Sequence, residues 1–293
     1  MIDAGIEVYR SFWRRDCEDR AFMLGAVGIT SAIVLRGDHF SLEVAEPDAH
    51  RAAGHLSQYE AENRPPEPVP AGPPLHPDAW IGCVGYAVWL LGVAYAISNG
   101  LVRLDAFHTG ELDAARVQAG QWWRAWTALT LHLSGPHLAA NLGAGIWFGY
   151  LAGRQLGVGV AWLLIVAGGG VANLLEGLFG PPWHQSVGAS TAVFTALGLM
   201  SAYTWRDRFR IPQSWVQRWG PLVAGISLLG WLGTAGKETD IMAHLLGFAI
   251  GVVLGAAAAF PAVSRRLHGV RQWPAGLAAI AVMAIAWGFA LTS

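Results

Sequence analysis

The chain has 293 residues, of which 54% are hydrophobic and only 13% charged, with a mean hydropathy of +0.38. Soluble domains carry about 25% charged residues, so this composition favours a protein that uses a lipid bilayer as solvent. The net charge of −1 gives no indication of a nucleic-acid partner, and the two cysteines predict neither a disulfide framework nor a redox motif.

Residues 1–65 are predicted to form a small cytosolic α/β domain. Strands and helices are expected in the order β-α-β-β-α, at 6–9, 16–26, 28–34, 39–44 and 48–63. This order is typical of a ferredoxin-like or related module. The first twenty residues lack the apolar core of a signal peptide, so the amino terminus is expected to stay in the cytosol. The proline-rich segment 66–78 is predicted to be a stiff linker.

Seven stretches without Asp, Glu, Lys or Arg follow the linker. Each is long enough, or nearly so, to cross about 30 Å of hydrocarbon. They lie at roughly 80–98, 136–153, 156–175, 190–203, 220–236, 241–260 and 273–291. The sequence therefore predicts an all-α polytopic membrane protein behind the small α/β domain. The 15 tryptophans and 37 glycines fit this prediction, since membrane helices use Gly for close packing and Trp at the interface.

The basic residues predict the orientation of these helices. Arginines concentrate in the loops on one side, at positions 154, 206, 208, 210, 218, 265, 266 and 271. By the positive-inside rule this side is cytosolic. The opposite loops mix basic residues with acids, including Glu176 and Asp240, and His184 is interpreted there as loop surface. The second, fourth and sixth helices are then expected to begin on the external face.

Four polar residues are predicted to lie at one depth below that external face. His137 and Asn141 are four residues apart and share a face in the first turns of the second helix. Ser190 begins the fourth helix, and His244 lies one turn into the sixth. Polar groups in hydrocarbon are costly, so their convergence indicates a functional site.

The sixth helix carries glycines that predict how this site is assembled. Gly247, Gly251 and Gly255 follow His244 at intervals of three and four residues, forming a seam of small residues. Such a seam lets the sixth helix approach the fourth closely and brings His244 to Ser190. A serine within hydrogen-bond reach of a histidine is the minimum for an activated nucleophile.

Neighbouring residues complete the predicted chemistry. The second, fourth and sixth helices contain no acid to orient the imidazole, so a dyad is expected rather than a triad. Phe194, one turn below Ser190, can hold the imidazole ring by stacking. Asn141, His137 and the Ser190 backbone N–H are available to stabilise an oxyanion.

Each of these residues also has a simpler interpretation. A serine at the start of a membrane helix is commonly a cap, and a histidine in such a helix often packs against a carbonyl group. His132, His137 and His244 could instead bind a metal ion, but no Cys or carboxylate completes that ligand set. Neither a metal nor a cofactor is predicted.

Four motifs in this order resemble those of the rhomboid intramembrane serine proteases. They are Trp123-Arg124, His132-x4-His137-x3-Asn141, Gly188-Ala189-Ser190-Thr191 and Ala243-His244-x2-Gly247-x3-Gly251. The resemblance implies a six-helix catalytic core at 79–260, followed at 261–293 by a cytosolic loop and a seventh transmembrane helix. Two residues depart from the family pattern: Thr191 stands where many members have Gly, and Phe194 where many have Tyr.

The resemblance also implies the roles of the site residues. Ser190 is expected to be the nucleophile and His244 the base, with an oxyanion hole from His137, Asn141 and the Ser190 amide. Supporting roles are expected for Gly188, Phe194, His132, Arg124, Gly247 and Gly251.

The implied activity is hydrolysis of peptide bonds in or next to transmembrane segments of membrane proteins, within the lipid bilayer. The expected location is a bacterial inner membrane, with the active site opening to the periplasmic side. One alternative is an inactive rhomboid-like protein that binds membrane clients, although such relatives usually lack the Ser or the His. Another is a transporter, which the charge-free helices disfavour.

Overall fold

The computed structural model describes residues 5–64, 75–100, 105–207, 214–233 and 240–293. The chain divides into two compact units, Met1–Pro70 and Ala71–Ser293. Most of the predicted linker lies outside the described residues, as do Arg208 and Arg210 of the loop arginines.

The first unit contains a three-stranded antiparallel sheet and two helices in the predicted order. The elements are β1 (Ile6–Ser11), α1 (Arg14–Ala26), β2 (Ser31–Arg36), β3 (His39–Val44) and α2 (Ala49–Glu62). β3 lies between β1 and β2 and is antiparallel to both. β2 begins three residues later than predicted because Gly28, at φ 79°, still belongs to the turn that ends α1. The core consists of buried aliphatic side chains, mainly Leu24, Ile29, Leu42, Val44, Ala52 and Leu56.

Seven helices of 18 residues or more dominate the described part of the second unit. They are α3 (Trp80–Ser98), α7 (Gly135–Leu156), α8 (Val158–Phe179), α9 (Ser190–Asp207), α10 (Trp215–Gly233), α11 (Ile241–Ala258) and α13 (Gln272–Thr292). Of these, α3, α8, α11 and α13 are long and apolar enough to cross a membrane.

Shorter elements connect the long helices. Between α3 and α7 lie α4 (Ala106–Gly110), β4 (Leu112–Asp113), α5 (Ala114–Gln118) and α6 (Arg124–Thr127). α12 (Pro261–Gly269) precedes α13, and β5 (Gln185–Ser186) lies between α8 and α9. The strands β4 and β5 pair antiparallel, which ties the α8–α9 connection to the segment before α7.

Four helices extend by three residues or more beyond a predicted end, and the first of them, α7, continues to Leu156 instead of ending at residue 153. α8 continues to Phe179, so Glu176 lies in its last turns and is buried, whereas the sequence placed it in an external loop. α9 continues to Asp207, a turn past the predicted end. α10 begins at Trp215, five residues before the predicted start. Nearby charged residues limited each predicted stretch, but the hydrogen bonds of a helix are made by the backbone and do not require apolar side chains.

α9 is the central helix of the second unit. It packs against α7, α8, α10 and α11, and its side chains are nearly all buried from Thr191 to Tyr203. Its contact with α11 is the most extensive between any two of the described helices. Ser190 therefore lies at the end of the best-packed element of the unit.

α13 packs against α8 and against the segment that precedes α7. The Gln272 side-chain oxygen accepts the N–H groups of Gly159 and Val160, both at 3.1 Å, and so satisfies two amides at the start of α8. Near the other end of α13, the Trp287 indole donates to the Thr130 hydroxyl at 3.2 Å, and Phe289 stacks on Trp123. The C-terminal helix thus braces the segment that leads to the site.

Candidate active site

Ser190 is the first residue of α9 and is half-buried. It lines a cleft together with Asn173, Gly188, Thr191 and Asp240. As the first residue of a helix, its backbone N–H has no carbonyl partner within that helix. The position therefore combines a reachable hydroxyl with a backbone donor beside it.

Gly188 fixes the approach of the chain to Ser190. Its φ of 139° lies in a region that side-chain-bearing residues rarely adopt, and its N–H donates to the Ala128 carbonyl at 3.0 Å. A Cβ built at this position would lie 2.9 Å from His137 Nε2 and 3.5 Å from Ser190 Oγ. The imidazole of His137 and the hydroxyl of Ser190 therefore flank the same glycine.

His137 is held at the start of α7 by a helix cap. The Ser134 hydroxyl accepts the His137 N–H at 3.3 Å, and Pro136 occupies the first turn. The cap and the proline together fix where α7 begins.

His132 contacts both His137 and the residue before the serine. Its ring packs edge-on against His137 with centroids 5.1 Å apart, and its Nε2 faces the Ala189 N–H at 3.4 Å. Burial lowers the pKa of His132 to about 4. The ring is therefore neutral at pH 7, and its Nε2 can accept the Ala189 N–H.

Three glycines of α11 lie directly on the backbone of α9. A Cβ on Gly247, Gly251 or Gly255 would collide with the carbonyl oxygen of Thr191, Thr195 or Leu199, respectively. On the opposing helix, a Cβ on Gly198 would collide with the Phe248 carbonyl. The predicted seam between the fourth and sixth helices is thus present as a backbone-on-backbone contact over two turns.

His244 is buried one turn before the first glycine of this seam. Its ring contacts the ring of Phe194, with centroids 4.4 Å apart and planes tilted by 35°. Because Gly247 meets the Thr191 carbonyl and Phe194 lies one turn after Ser190, His244 faces the first turn of α9.

Thr191, one of the two departures from the family pattern, is buried at this contact. A Cβ on Gly247 would lie 3.3 Å from its methyl carbon Cγ2. The threonine side chain fits there because the facing residue has none.

Asn141 is buried one turn after His137 on α7. Its side-chain amide donates to the His137 backbone carbonyl at 3.2 Å. The backbone carbonyl of Asn141 accepts a hydrogen bond from the Tyr86 hydroxyl of α3 at 2.9 Å. These bonds fix Asn141 relative to both helices and leave the second amide hydrogen for another acceptor.

Arg124 is 98% buried and donates three hydrogen bonds. Its guanidinium reaches Gln121 Oε1 at 2.6 Å and the carbonyl oxygens of Glu111 at 2.9 Å and His108 at 3.0 Å. All three acceptors lie in the segment between α3 and α7. Arg124 therefore holds that segment together.

Asn173 of α8 is a site residue that the sequence reasoning missed. It lines the cleft beside Ser190 and is buried, and its side-chain amide donates to the Ala125 carbonyl at 2.9 Å. The available signal was a carboxamide in a helix that is otherwise apolar for almost its whole length.

A carboxylate–histidine cluster adjoins the same cleft. His184, interpreted from sequence as loop surface, is half-buried, and its Nε2 lies 3.0 Å from Asp240 Oδ2 and 3.5 Å from Glu176 Oε1. The surface interpretation was wrong because β4 and β5 pair and fold the α8–α9 connection back against the helix ends. Asp240 also caps α11 by accepting the Ala243 N–H at 3.0 Å.

Residues 119–260 match the family model of the rhomboid domain. A curated relative, rhomboid protease GluP of Bacillus subtilis (strain 168), is 28% identical over 197 residues. The match identifies residues 119–260 as a rhomboid domain. The aligned part covers 66% of this chain and 35% of the relative, so the chain matches about a third of that protein's length. The matched domain contains all four motifs, from Trp123 to Gly251.

The rhomboid-domain match and the four apolar helices together make the chain an integral membrane protein. The first unit and α13 lie outside the matched domain.

Proposed function

We propose that this rhomboid is an intramembrane serine endopeptidase that cleaves membrane proteins in or next to their transmembrane segments. Ser190 acts as the nucleophile and His244 as the base. The observation that carries this proposal is the glycine seam between α9 and α11, which directs the His244 ring toward the first turn of α9, where Ser190 lies open to a cleft. The rhomboid protease among the relatives supports the same activity.

In the first chemical step, Ser190 Oγ attacks the carbonyl carbon of the scissile peptide while His244 takes the hydroxyl proton. The contact with Phe194 limits rotation of the imidazole. In this dyad, ring packing does the orienting that an acid performs in a triad. His244 then returns the proton to the leaving amine as the C–N bond breaks.

The negative charge that develops on the carbonyl oxygen needs donors. The Ser190 N–H at the start of α9, the His137 ring beside Gly188 and the Asn141 amide are the proposed set. The remaining acyl-enzyme ester is hydrolysed by water, with His244 again acting as base. This regenerates the Ser190 hydroxyl and releases a carboxylate.

The proposed membrane arrangement has all seven long helices crossing the bilayer, with six forming the catalytic core. The amino-terminal unit lies in the cytosol, and the starts of α7, α9 and α11 face the external side. The uneven distribution of arginines supports this orientation. The membrane-spanning helices of other proteins are the natural substrates of a site in this position.

The test is cleavage of a reporter with one transmembrane helix by the purified full chain in detergent. Ser190→Ala should abolish cleavage and leave the melting temperature nearly unchanged, because loss of one hydroxyl from a polar cleft costs little folding energy. His244→Ala should abolish cleavage as well.

Ser186→Ala is the matched control, since Ser186 lines the same cleft four residues before Ser190. It should cleave at close to the wild-type rate. Substantial cleavage by the Ser190→Ala chain would remove Ser190 from its assigned role. A wild-type chain that binds the reporter without cleaving it would favour an inactive client-binding rhomboid instead.

A further inference from the structure

Two acids and one histidine form a cluster beside the cleft, and no lysine or arginine of the described residues pairs with it. Glu176, His184 and Asp240 each contribute one donor atom, and the three atoms lie within 4.8 Å of one another. The Glu176 side chain is only 3% exposed, and neither of its carboxylate oxygens has a hydrogen-bond partner among the described residues. Among those residues, only His184 forms an ion pair with either acid.

The His184 side chain cannot satisfy both acids at once. The His184 Nε2 lies nearer to Asp240, and a neutral imidazole has a single N–H to give. The other carboxylate oxygen of Asp240 is occupied by the cap on Ala243. A buried carboxylate in this situation requires either a proton or a cation.

The geometry suits a small transition-metal ion. Tetrahedral Zn²⁺ binds nitrogen and carboxylate oxygen at about 2.0–2.2 Å, which places neighbouring ligand atoms about 3.4 Å apart. The His184 nitrogen lies 3.0 Å from the Asp240 oxygen and 3.5 Å from the Glu176 oxygen, and all three ligand atoms lie within 4.8 Å of one another. A mixed nitrogen–oxygen set also favours Zn²⁺ over Mg²⁺ or Ca²⁺, which prefer six or more oxygen ligands.

The backbone holds all three ligands before any ion arrives. Glu176 belongs to α8, and Asp240 is fixed by capping α11. The His184 N–H donates to the Pro181 carbonyl, and its carbonyl accepts the Ala114 N–H at 3.0 Å. Because the ligands come from α8, the α8–α9 connection and the start of α11, an ion would tie together three segments around the cleft.

We propose that Glu176, His184 and Asp240 form a binding site for one divalent transition-metal ion of the Zn²⁺ class. A water molecule would complete the coordination. The site is separate from the Ser190–His244 pair, and Asp240 connects the two because it lines the cleft and begins the helix that carries His244.

The experiment measures Zn²⁺ binding to the purified, tag-free full chain after chelator treatment, by equilibrium dialysis and by thermal unfolding. We expect one equivalent to bind through this site and the melting temperature to rise with Zn²⁺ concentration. Mg²⁺ in excess should not compete.

His184→Ala and Glu176→Gln should each weaken binding by about tenfold or more, since even changes behind the ligands cost about 10–100-fold in affinity. Asp240→Asn should do the same while keeping the helix cap. His50→Ala, which removes an exposed histidine of α2, should bind Zn²⁺ like the wild type. Repeating the series on the Ser190→Ala chain separates the metal site from the proposed protease activity, because neither measurement depends on cleavage.

Binding that is absent, or equally strong in His184→Ala and Glu176→Gln, would overturn the proposal. The proposal would also be overturned if the melting temperature did not respond to Zn²⁺ but changed with pH in the wild type and not in Glu176→Gln. The two carboxylates would then share a proton.

Discussion

Glycine serves two different purposes in the helical unit. Between α9 and α11, glycines lie against the backbone of the other helix: Gly251 meets the Thr195 carbonyl, and the neighbouring seam glycines do the same one turn away. Around α7 and α8, glycines form notches for aromatic rings. Gly145 receives Tyr86, Gly149 receives Trp162, and Gly170 receives Trp126.

The two kinds of contact differ in how firmly they fix one helix against another. A backbone atom cannot change rotamer, so a backbone-on-backbone contact defines the distance between α9 and α11 narrowly. A ring in a notch can tilt to absorb a small change. The proposed nucleophile and base lie on the firm contact, whereas His137 and Asn141 lie on α7, which is held partly by notches. The comparison predicts different consequences for changes on the two sides.

The largest effect on turnover is expected for Asn141, which lies on α7. Asn141→Ala removes a proposed oxyanion donor and should lower turnover by about ten- to a thousandfold, with a smaller change in substrate binding. The measurement is kcat and KM on the transmembrane reporter. If KM alone changes, Asn141 contacts substrate or supports structure, and the chemistry does not extend to α7.

Gly251→Val directly tests the backbone-on-backbone contact between α9 and α11. The added side chain has no space against the Thr195 carbonyl and the Leu199 amide, so α11 must move away from α9. A displacement of about 1 Å at the reacting atoms costs on the order of a hundredfold in rate. Activity and melting temperature should therefore fall together, although Gly251 carries no chemistry.

Gly92→Val in α3 is the matched control for Gly251→Val, because a Cβ there meets no atom of the described chain within 4 Å. Gly169 of α8 is not one of the three α11 glycines but is unsuitable as a control. A Cβ at Gly169 would lie 2.9 Å from the Ala192 backbone of α9. A fully active, fully stable Gly251→Val chain would show that the two helices do not meet along this face.

Gly149→Ala tests a notch. The new methyl would lie 2.5 Å from the Trp162 ring, which stacks on the Tyr86 ring. Overpacking of this kind costs about 1–3 kcal/mol of stability, but the ring can tilt, so the folded chain should keep most of its activity.

Thermal unfolding and turnover of Gly149→Ala are compared with those of Gly143→Ala on the same helix. A Cβ at Gly143 would meet no other described residue within 4 Å, so that change should leave stability equal or raised, by up to about 1 kcal/mol. A loss of turnover in Gly149→Ala as large as that of Gly251→Val would erase the distinction between the two contacts.

The smallest effect is expected for Thr191→Ala at the seam. The substitution removes the methyl group that faces Gly247 and should cost about 1 kcal/mol or less. The carbonyl of residue 191, which makes the backbone contact, remains. Turnover should stay within about threefold of wild type, equivalent to about 0.7 kcal/mol of barrier. A much larger loss would mean that the threonine side chain itself positions the first turn of α9.

Much of this arrangement was predictable from the sequence because its determinants are local. The spacing of Gly247, Gly251 and Gly255 predicts a close helix contact, and Pro136 after Ser134 predicts the start of a helix. The contact between Phe194 and His244 follows once the two helices are placed face to face. These patterns repeat at three- and four-residue intervals, which the helix itself imposes.

The residues that escaped prediction depend on distant partners. His184 is predicted as a surface loop residue because nothing local shows that β4 and β5 pair, as Asp113 and Gln185 do although they are distant in sequence. Asn173 is significant only because Ala125 offers its carbonyl from a separate helix. The partners of Arg124 likewise lie in a segment of irregular structure, where no periodic pattern operates.

The central claim is that the α9–α11 contact brings the His244 imidazole to the Ser190 hydroxyl. A chloroisocoumarin tests it most directly, since such a compound acylates an activated serine, loses chloride and exposes an electrophilic carbon that alkylates an adjacent imidazole. After treatment of the full chain and proteolytic digestion, mass spectrometry should find peptides containing Ser190 and His244 joined through the reagent. The joined peptides should be absent from Ser190→Ala and His244→Ala and much reduced in Gly251→Val. An adduct on another serine, or one on Ser190 that never reaches His244, would contradict the account.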